Sequence, residues 1–446
     1  MKESDSLFWG RDSGGWGLLS LFYLGTKRFP IRIRFLLFGE EYGISENDMK
    51  IGIDARFYGP LGKGLGRYTA ELIQSLEAID SKNEYVIFLR QENFHEYIPK
   101  NPRFRKVIAD FSWYSFEEQI FFPWLLWREA CDVVHFPHFN VPLLYRRPFV
   151  VTVHDLILLR FPTLRSTTLS PFFYRLKFYA YRIVIRSALL RAKRVITVSN
   201  YTKRDILDRY EVSPERISVT YEAAHPFCFL LSPEREQALF SRLDLLSSPS
   251  NTNSHDILRP YALYVGNAYP HKNLESLLQA FANFPDREVR LILVGRDDYF
   301  YKRLKRFAKE RNLSSVIFAG FVPDDELDSL YKRARLSVFP SRYEGFGLPP
   351  LEAMMKGSPV LAARAAAFPE ILGSAALFFD PEQKSDLRSA LETLWEDESL
   401  RHSLRHDGFR RAAEFSWERM GRETLPIYES AVSISREPLG ESGHSD

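Results

Sequence analysis

Only two cysteines, Cys131 and Cys228, occur in 446 residues. That excludes a disulfide scaffold, and so few thiols in a long chain fit a reducing cytoplasm. No cysteine–histidine cluster has metal-ligand spacing, so neither a metal nor a resident cofactor is expected. An excess of one charge is also missing. Sixty Lys and Arg stand against 57 Asp and Glu, a net charge of +3, too even a balance to imply nucleic acid as a partner. Long hydrophobic runs are absent. The uncharged run near the start, Ser13–Thr26, falls short of the about 20 residues a spanning helix needs. Glu3 and Asp5 spoil a secretory n-region, and no small-residue cleavage site follows.

What is present suits a two-domain α/β protein. Hydrophobic residues make up 45% of the chain, enough for sizeable cores. Short apolar runs such as Tyr85–Leu89, Val133–Phe136, Phe149–His154 and Arg194–Val198 alternate with helical patterns. The same alternation returns with Arg290–Gly295, Ser315–Ala319, Leu336–Phe339 and Val360–Ala363. It predicts doubly wound parallel sheets.

Residues 1–48 read as an N-terminal extension outside the fold, because Met49-Lys-Ile-Gly-Ile-Asp opens abruptly as a strand. Met49 is therefore read as the functional start, or 1–48 as a dispensable arm. A first domain is expected over 49–230 and a linker over 231–258, where 247–255 reads Ser-Ser-Pro-Ser-Asn-Thr-Asn-Ser-His. A second domain is expected over 259–415, a further helix over 416–434, and a disordered tail over 435–446.

The most informative stretch is Phe339-Pro-Ser-Arg-Tyr-Glu-Gly-Phe-Gly-Leu-Pro-Pro-Leu-Glu352. It reads as strand, loop, then a helix with Pro350 in its first turn and Gly357 at its end. Gly345 and Gly347 let backbone amides approach a ligand, and a helix N-terminus favours an anion such as a diphosphate. Glu344 on the loop and Glu352, expected in the first helical turn, can accept hydrogen bonds from sugar and ribose hydroxyls. Two glutamates eight positions apart mean little alone; the glycine turn between them gives the spacing its weight.

This stretch resembles the Glu-x7-Glu signature of the family-4 (group 1) retaining glycosyltransferases. The likeness runs from about Met49 to about Tyr428. The resemblance implies the GT-B fold, with two facing Rossmann-like doubly wound domains and an interdomain cleft. It implies a metal-independent, retaining hexosyltransferase, with mannose as the first sugar to consider and GDP-mannose as the first donor. Glu344 and His154, at the end of Val-Thr-Val-His-Asp, would be catalytic. Gly64, Gly66, Lys272, Val322, Gly345, Phe346, Gly347, Leu348 and Glu352 would bind the donor. The first two lie in Tyr58-Gly-Pro-Leu-Gly-Lys-Gly-Leu-Gly-Arg, which is neither a P-loop nor G-x-G-x-x-G. A helix is expected after it, from about Tyr68 to Leu76. Asn267 and His271 stand where the family commonly has further cations, which leaves Lys272 as the main side-chain cation for the diphosphate. His135 and His138 also end a predicted strand and read first as structural.

Leu156–Arg204 holds eleven Lys and Arg and no Asp or Glu, with aromatics interleaved on a predicted helix around Phe172–Arg194. One buried face and one solvated face would account for it. An anionic membrane surface or a lipid-linked acceptor would also suit it. The resulting expectation is a cytoplasmic enzyme, peripheral on the inner face of the membrane. It would move a hexose from a nucleotide sugar to a glycan or lipid-linked acceptor in cell-surface polysaccharide synthesis. A nucleotide-sugar epimerase or phosphorylase-like enzyme on the same fold is the nearer rival. A non-catalytic protein binding a membrane surface or nucleic acid is the more distant one.

Overall fold

The computed structural model describes residues 48–161, 171–225, 231–246, 258–282, 284 and 289–436. Thus 1–47 and 437–446, which carry most of the expected arm and tail, and 247–257, the later part of the expected linker, lie outside the described residues, as does Cys228.

Two parallel sheets organise the chain. The first contains β1 (Lys50–Asp54), β2 (Glu84–Leu89), β3 (Phe104–Ile108), β4 (Val133–Phe136), β5 (Phe149–Val153), β6 (Arg194–Thr197) and β7 (Ile217–Val219). Their order is β3-β2-β1-β4-β5-β6-β7. The second contains β8 (Tyr261–Val265), β9 (Arg290–Val294), β10 (Val316–Gly320), β11 (Leu336–Phe339), β12 (Val360–Ala363) and β13 (Ala376–Phe379), ordered β10-β9-β8-β11-β12-β13. Strands covered on both faces read as continuous apolar runs rather than alternating ones, and Tyr85 to Leu89 are all fully buried. In each sheet the order reverses beside the first strand, at β1/β4 and at β8/β11. Ligands of such sheets bind beyond the carboxyl ends at that reversal.

By compactness the chain forms two units. Of the described residues, one unit comprises those through Thr152, Arg175–Ile196 and those from Gly421; the other comprises those within Val153–Tyr174 and Thr197–Met420. The turn after β5, with His154, is thus grouped with the second unit.

In the first unit, helix α1 spans Lys63–Ile79. It starts earlier than the pattern predicts, so Gly64 and Gly66 lie in its opening turns instead of a preceding loop. The reason is close approach: a Cβ on Gly66 would sit 2.1 Å from the Gly59 carbonyl oxygen and 2.4 Å from that of Phe57. At Gly64 a Cβ would meet nothing. Helix α2 spans Phe116–Glu129, capped by Ser115, whose side chain accepts from the Glu118 amide. Helix α3 spans Pro171–Arg191. In the second unit helix α4 spans Leu348–Met355. The last helix, α5, spans Trp417–Arg436. It reaches two residues into the segment expected to be disordered, and from Gly421 onward it belongs to the first unit. There the Tyr428 hydroxyl lies 2.7 Å from His135 Nδ1, while His135 Nε2 lies 2.8 Å from Thr152 Oγ1. His135 is fully buried, a satisfied core histidine.

A buried charge cluster ties α2 to β1. The Arg56 guanidinium, with no exposed surface, donates to both Asp54 carboxylate oxygens at 2.7 Å and pairs with Glu118 Oε1 at 2.7 Å. Its carbon lies 4.0 Å from the Phe122 ring centre. Burial opposes the charge on Arg56, but the two carboxylates outweigh it and hold the group protonated. Removing one partner of a buried pair leaves an uncompensated charge. We therefore expect Arg56→Met, which takes the one cation from Asp54 and Glu118 together, to lower unfolding free energy by about 3–5 kcal/mol in urea titrations; a change below about 1 kcal/mol, the scale of a surface pair, would show that the cluster does not matter.

Candidate active site

The site grows from the carboxyl ends of β8 and β11 in the second unit, adjacent strands at the order reversal. After β8 the chain makes a 3-10 turn, Pro270–Lys272, and enters a helix through Asn273. Asn273 has φ +58°; its backbone carbonyl accepts from the Ser276 and Leu277 amides, and its side-chain oxygen accepts from the Ser276 hydroxyl. After β11 it runs through Tyr343, Glu344, Gly345 and Phe346 to Gly347, whose φ is +110°. At Gly347 a Cβ would lie 2.6 Å from the Phe368 ring, so space as well as φ demands glycine. Helix α4 begins directly after it. Pro349 and Pro350 occupy its second and third positions and bring no N–H, so the amides presented at its opening are those of Gly347 and Leu348. The early start moves Glu352 into the second helical turn, not the first, where it is half-buried.

The two loops meet. Lys272 Nζ donates to Glu344 Oε1 at 2.5 Å, with side chains 13% and 15% exposed. Burial raises the Glu344 carboxyl, but Lys272 first and His271 next bring it below its ordinary value. Burial and the Lys272 charge push His271 down to about 4, so it brings no second cation at neutral pH.

His154 reaches the same place. Its Nδ1 lies 3.0 Å from Glu222 Oε1; a carboxylate only accepts, so Nδ1 carries the hydrogen. The Thr202 hydroxyl donates to the His154 carbonyl, and Ser199 Oγ donates to the Gly345 carbonyl at 2.6 Å. A Cβ on Gly345 would fall 1.9 Å from the His154 carbonyl oxygen. Only glycine lets this turn lie against the end of β5. Below it, the buried Tyr343 hydroxyl donates to Asp205 Oδ2 at 2.7 Å and accepts from the Leu156 amide at 3.1 Å.

Residues 251–411 match the family described as glycosyl transferases group 1, and residues 62–224 match glycosyltransferase family 4. The O-antigen chain mannosyltransferase B of Escherichia coli is 30% identical over 303 residues, covering 66% of this chain and 74% of that one. This chain belongs to the group 1, family-4 glycosyltransferases. The O-antigen chain mannosyltransferase RfbU of Salmonella typhimurium is also 30% identical, over 246 residues, 54% of this chain and 63% of that one. The crystal structure of Anabaena HepE in complex with UDP and glucose superposes with TM-score 0.64 at 18% identity, over 87% of this chain and all of the other. That likeness shows the GT-B fold.

In this glycosyltransferase the fold brings together Glu344, Lys272, Gly345, Gly347, Leu348 and His154. Phe346 differs from its sequence expectation in one respect. Its ring is buried against Tyr221 and Phe415, at centroid distances of 6.4 and 5.7 Å, so only its backbone is left for a ligand. Val322 is buried, while Phe321 beside it is 70% exposed. Gly64 and Gly66 belong to the first unit. Sequence reasoning missed Glu222, whose only local sign is a carboxylate just past β7, and gave Thr202 no role. Among the described residues no cluster of three or more His, Cys, Asp or Glu could hold a metal ion.

The ion pair sets a pH dependence. Glu344 is held below its ordinary value of 4.5. Its contribution to stability is therefore full above about that pH and is lost as pH falls through the lowered folded value. In Lys272→Met the largest influence opposing burial is gone, and the carboxyl moves up. The variant is expected to lose about 3 kcal/mol at pH 7 and clearly less at pH 4, in paired urea titrations. Equal losses at both pH values would contradict the pairing.

Proposed function

We propose that this glycosyltransferase moves a hexose from a nucleotide-diphosphate sugar to a hydroxyl of a glycan or lipid-linked acceptor, with retention, in cell-surface polysaccharide synthesis. The observation that carries this reading is the Lys272–Glu344 pair packed beside His154 at the carboxyl ends of β8 and β11. Mannose is the first sugar to test, because two relatives are named O-antigen mannosyltransferases. Supporting a nucleotide sugar, HepE of the same fold is described with UDP and glucose.

Each residue then has a task. Lys272, the Gly347 and Leu348 amides and the positive end of the α4 dipole receive the diphosphate, and they stabilise its charge as the bond to the sugar breaks. Charge met in this way does not call for a metal ion. Glu352 holds the ribose hydroxyls. Glu344 hydrogen-bonds the sugar hydroxyls and faces the positive charge that develops on the ring. His154, its ring held by Glu222, contacts the sugar from the other side, and Val322 with Phe321 lines the base. The acceptor attacks from the face the diphosphate leaves, and the departing phosphate oxygen takes the acceptor proton. The enzyme works in the cytoplasm, peripheral on the inner face of the membrane. No described helix is long and apolar enough to cross one.

A thermal-shift screen of GDP, UDP and ADP sugars identifies the donor, and product analysis with and without acceptor separates transfer from epimerisation. Ribose contacts are alike in ground and transition states, so Glu352→Gln should mainly raise donor KM. Contacts to the developing cation strengthen in the transition state, so Glu344→Gln should lower kcat by about 10- to 150-fold, the worth of a charge-assisted hydrogen bond. Two well-folded variants with wild-type kinetics would sink these assignments.

A further inference from the structure

We infer that helix α2 is a membrane-docking element that seats its outer aromatic stripe in the interfacial region of an anionic lipid bilayer. The helix is apolar on two sides. Phe122, Leu125 and Leu126 are buried, yet Phe116 is 68% exposed, Ile120 55%, Trp124 58% and Trp127 49%. Spacings of four, four and three residues place these last four within about 80° of arc at 3.6 residues per turn. Phe121, 52% exposed, flanks them. Single exposed apolar residues need no explanation, but an aligned row of large ones on one helix marks a contact surface. Tryptophan is the side chain best suited to the boundary between headgroups and acyl chains.

The charges around the stripe select the occupant. Arg128 lies with its guanidinium 5.4 Å from the Trp124 ring centre and is 54% exposed. The Asn140 amide donates to Glu118 and the Leu143 amide to Gln119, so α2 lies against the segment after β4. From the other side α3 packs on that segment: Arg191 donates to the Tyr145 and Pro142 carbonyls, and Tyr181 meets Phe139 at 5.0 Å. Between the two helices Leu144, Arg146 and Arg147 are exposed. On α3 itself Arg175, Lys177, Arg182 and Arg186 are exposed beside Tyr179 and Ile183. On α2 the row meets exposed Glu117 at its start and Arg128 at its end, where Glu129 is already paired with Arg105 and Arg128. Arg146, Arg147 and the α3 cations, with no acidic residue on α3, leave the border net positive and matched to an anionic bilayer. A second copy of the same basic face would repel it.

This inference deepens the peripheral-membrane part of the proposed function, and it rests on α3 only for the sign of the surface charge. Full-length protein is to be sedimented with phosphatidylcholine vesicles, with and without phosphatidylglycerol. Wild type should bind the anionic vesicles, and its tryptophan emission should be quenched by brominated acyl chains. Trp124→Ser with Trp127→Ser should weaken partitioning by about tenfold or more, as loss of buried aromatic area requires. Trp124→Phe with Trp127→Phe should keep binding but lose most of the quenching, which guards against a misfolded serine variant. Binding by the serine variant equal to wild type would overturn the α2 inference and leave a membrane role for α3. That role is checked by Arg175→Gln, Arg182→Gln and Arg186→Gln together. Absence of wild-type binding, or a concentration-dependent dimer abolished by the serine changes, would overturn it as well.

Discussion

An ammonium and a carboxylate that begin 72 residues apart meet at 2.5 Å where two parallel strands end. The site depends on that pairing. Burying Glu344 alone would favour its neutral form, and Lys272 reverses the preference. A charged acceptor is thereby kept ready in a partly dry place, where hydrogen bonds and charges act more strongly than in water. The pairing in turn needs strands β8 and β11 to be neighbours. A sheet whose order reverses at that point supplies the arrangement.

Backbone contact does the rest of the positioning. Gly345 lies so close to the His154 carbonyl that no side chain fits. Ser199 and Thr202 hold the two carbonyls concerned. Glu222 fixes the imidazole. These groups come from the turns after β5, β6, β7 and β11 and from the helix Asn200–Leu207 that follows β6, and none of them needs a long flexible side chain. A site assembled from strand ends and short side chains is stiff, and stiffness is what holds a reacting sugar in geometry.

Elsewhere the same economy of polar groups appears. Arg56 is wholly buried and met by two carboxylates, and the Lys356–Asp328 pair is nearly as dry. Helix α2 stands out against that background. Its inner face joins the Arg56 cluster and the Phe122 packing, while its outer face leaves large aromatics in solvent. A helix apolar on two sides has a use for both.

Much of this was legible in the sequence. Periodicity located most strands to within a residue or two, because a strand buried on both faces must be an unbroken apolar run. The short stretch from Phe339 to Glu352 was enough to mark a strand, a glycine turn and a helix, since each is a local property of a few residues. Local reading erred where tertiary contact overrode it. Helix α1 starts early because Gly66 tucks under the Phe57 and Gly59 carbonyls. Helix α4 starts early because Gly347 adopts positive φ, and Glu352 moves one turn along. By itself, the sequence determined the alternation of elements and the chemistry available at each strand end. Only the tertiary structure decided that Lys272 faces Glu344, that Glu222 holds His154, and that α2 turns aromatic residues outward. Spacing along the chain records local geometry; which distant residues meet depends on strand order and packing, and neither is written in any single segment.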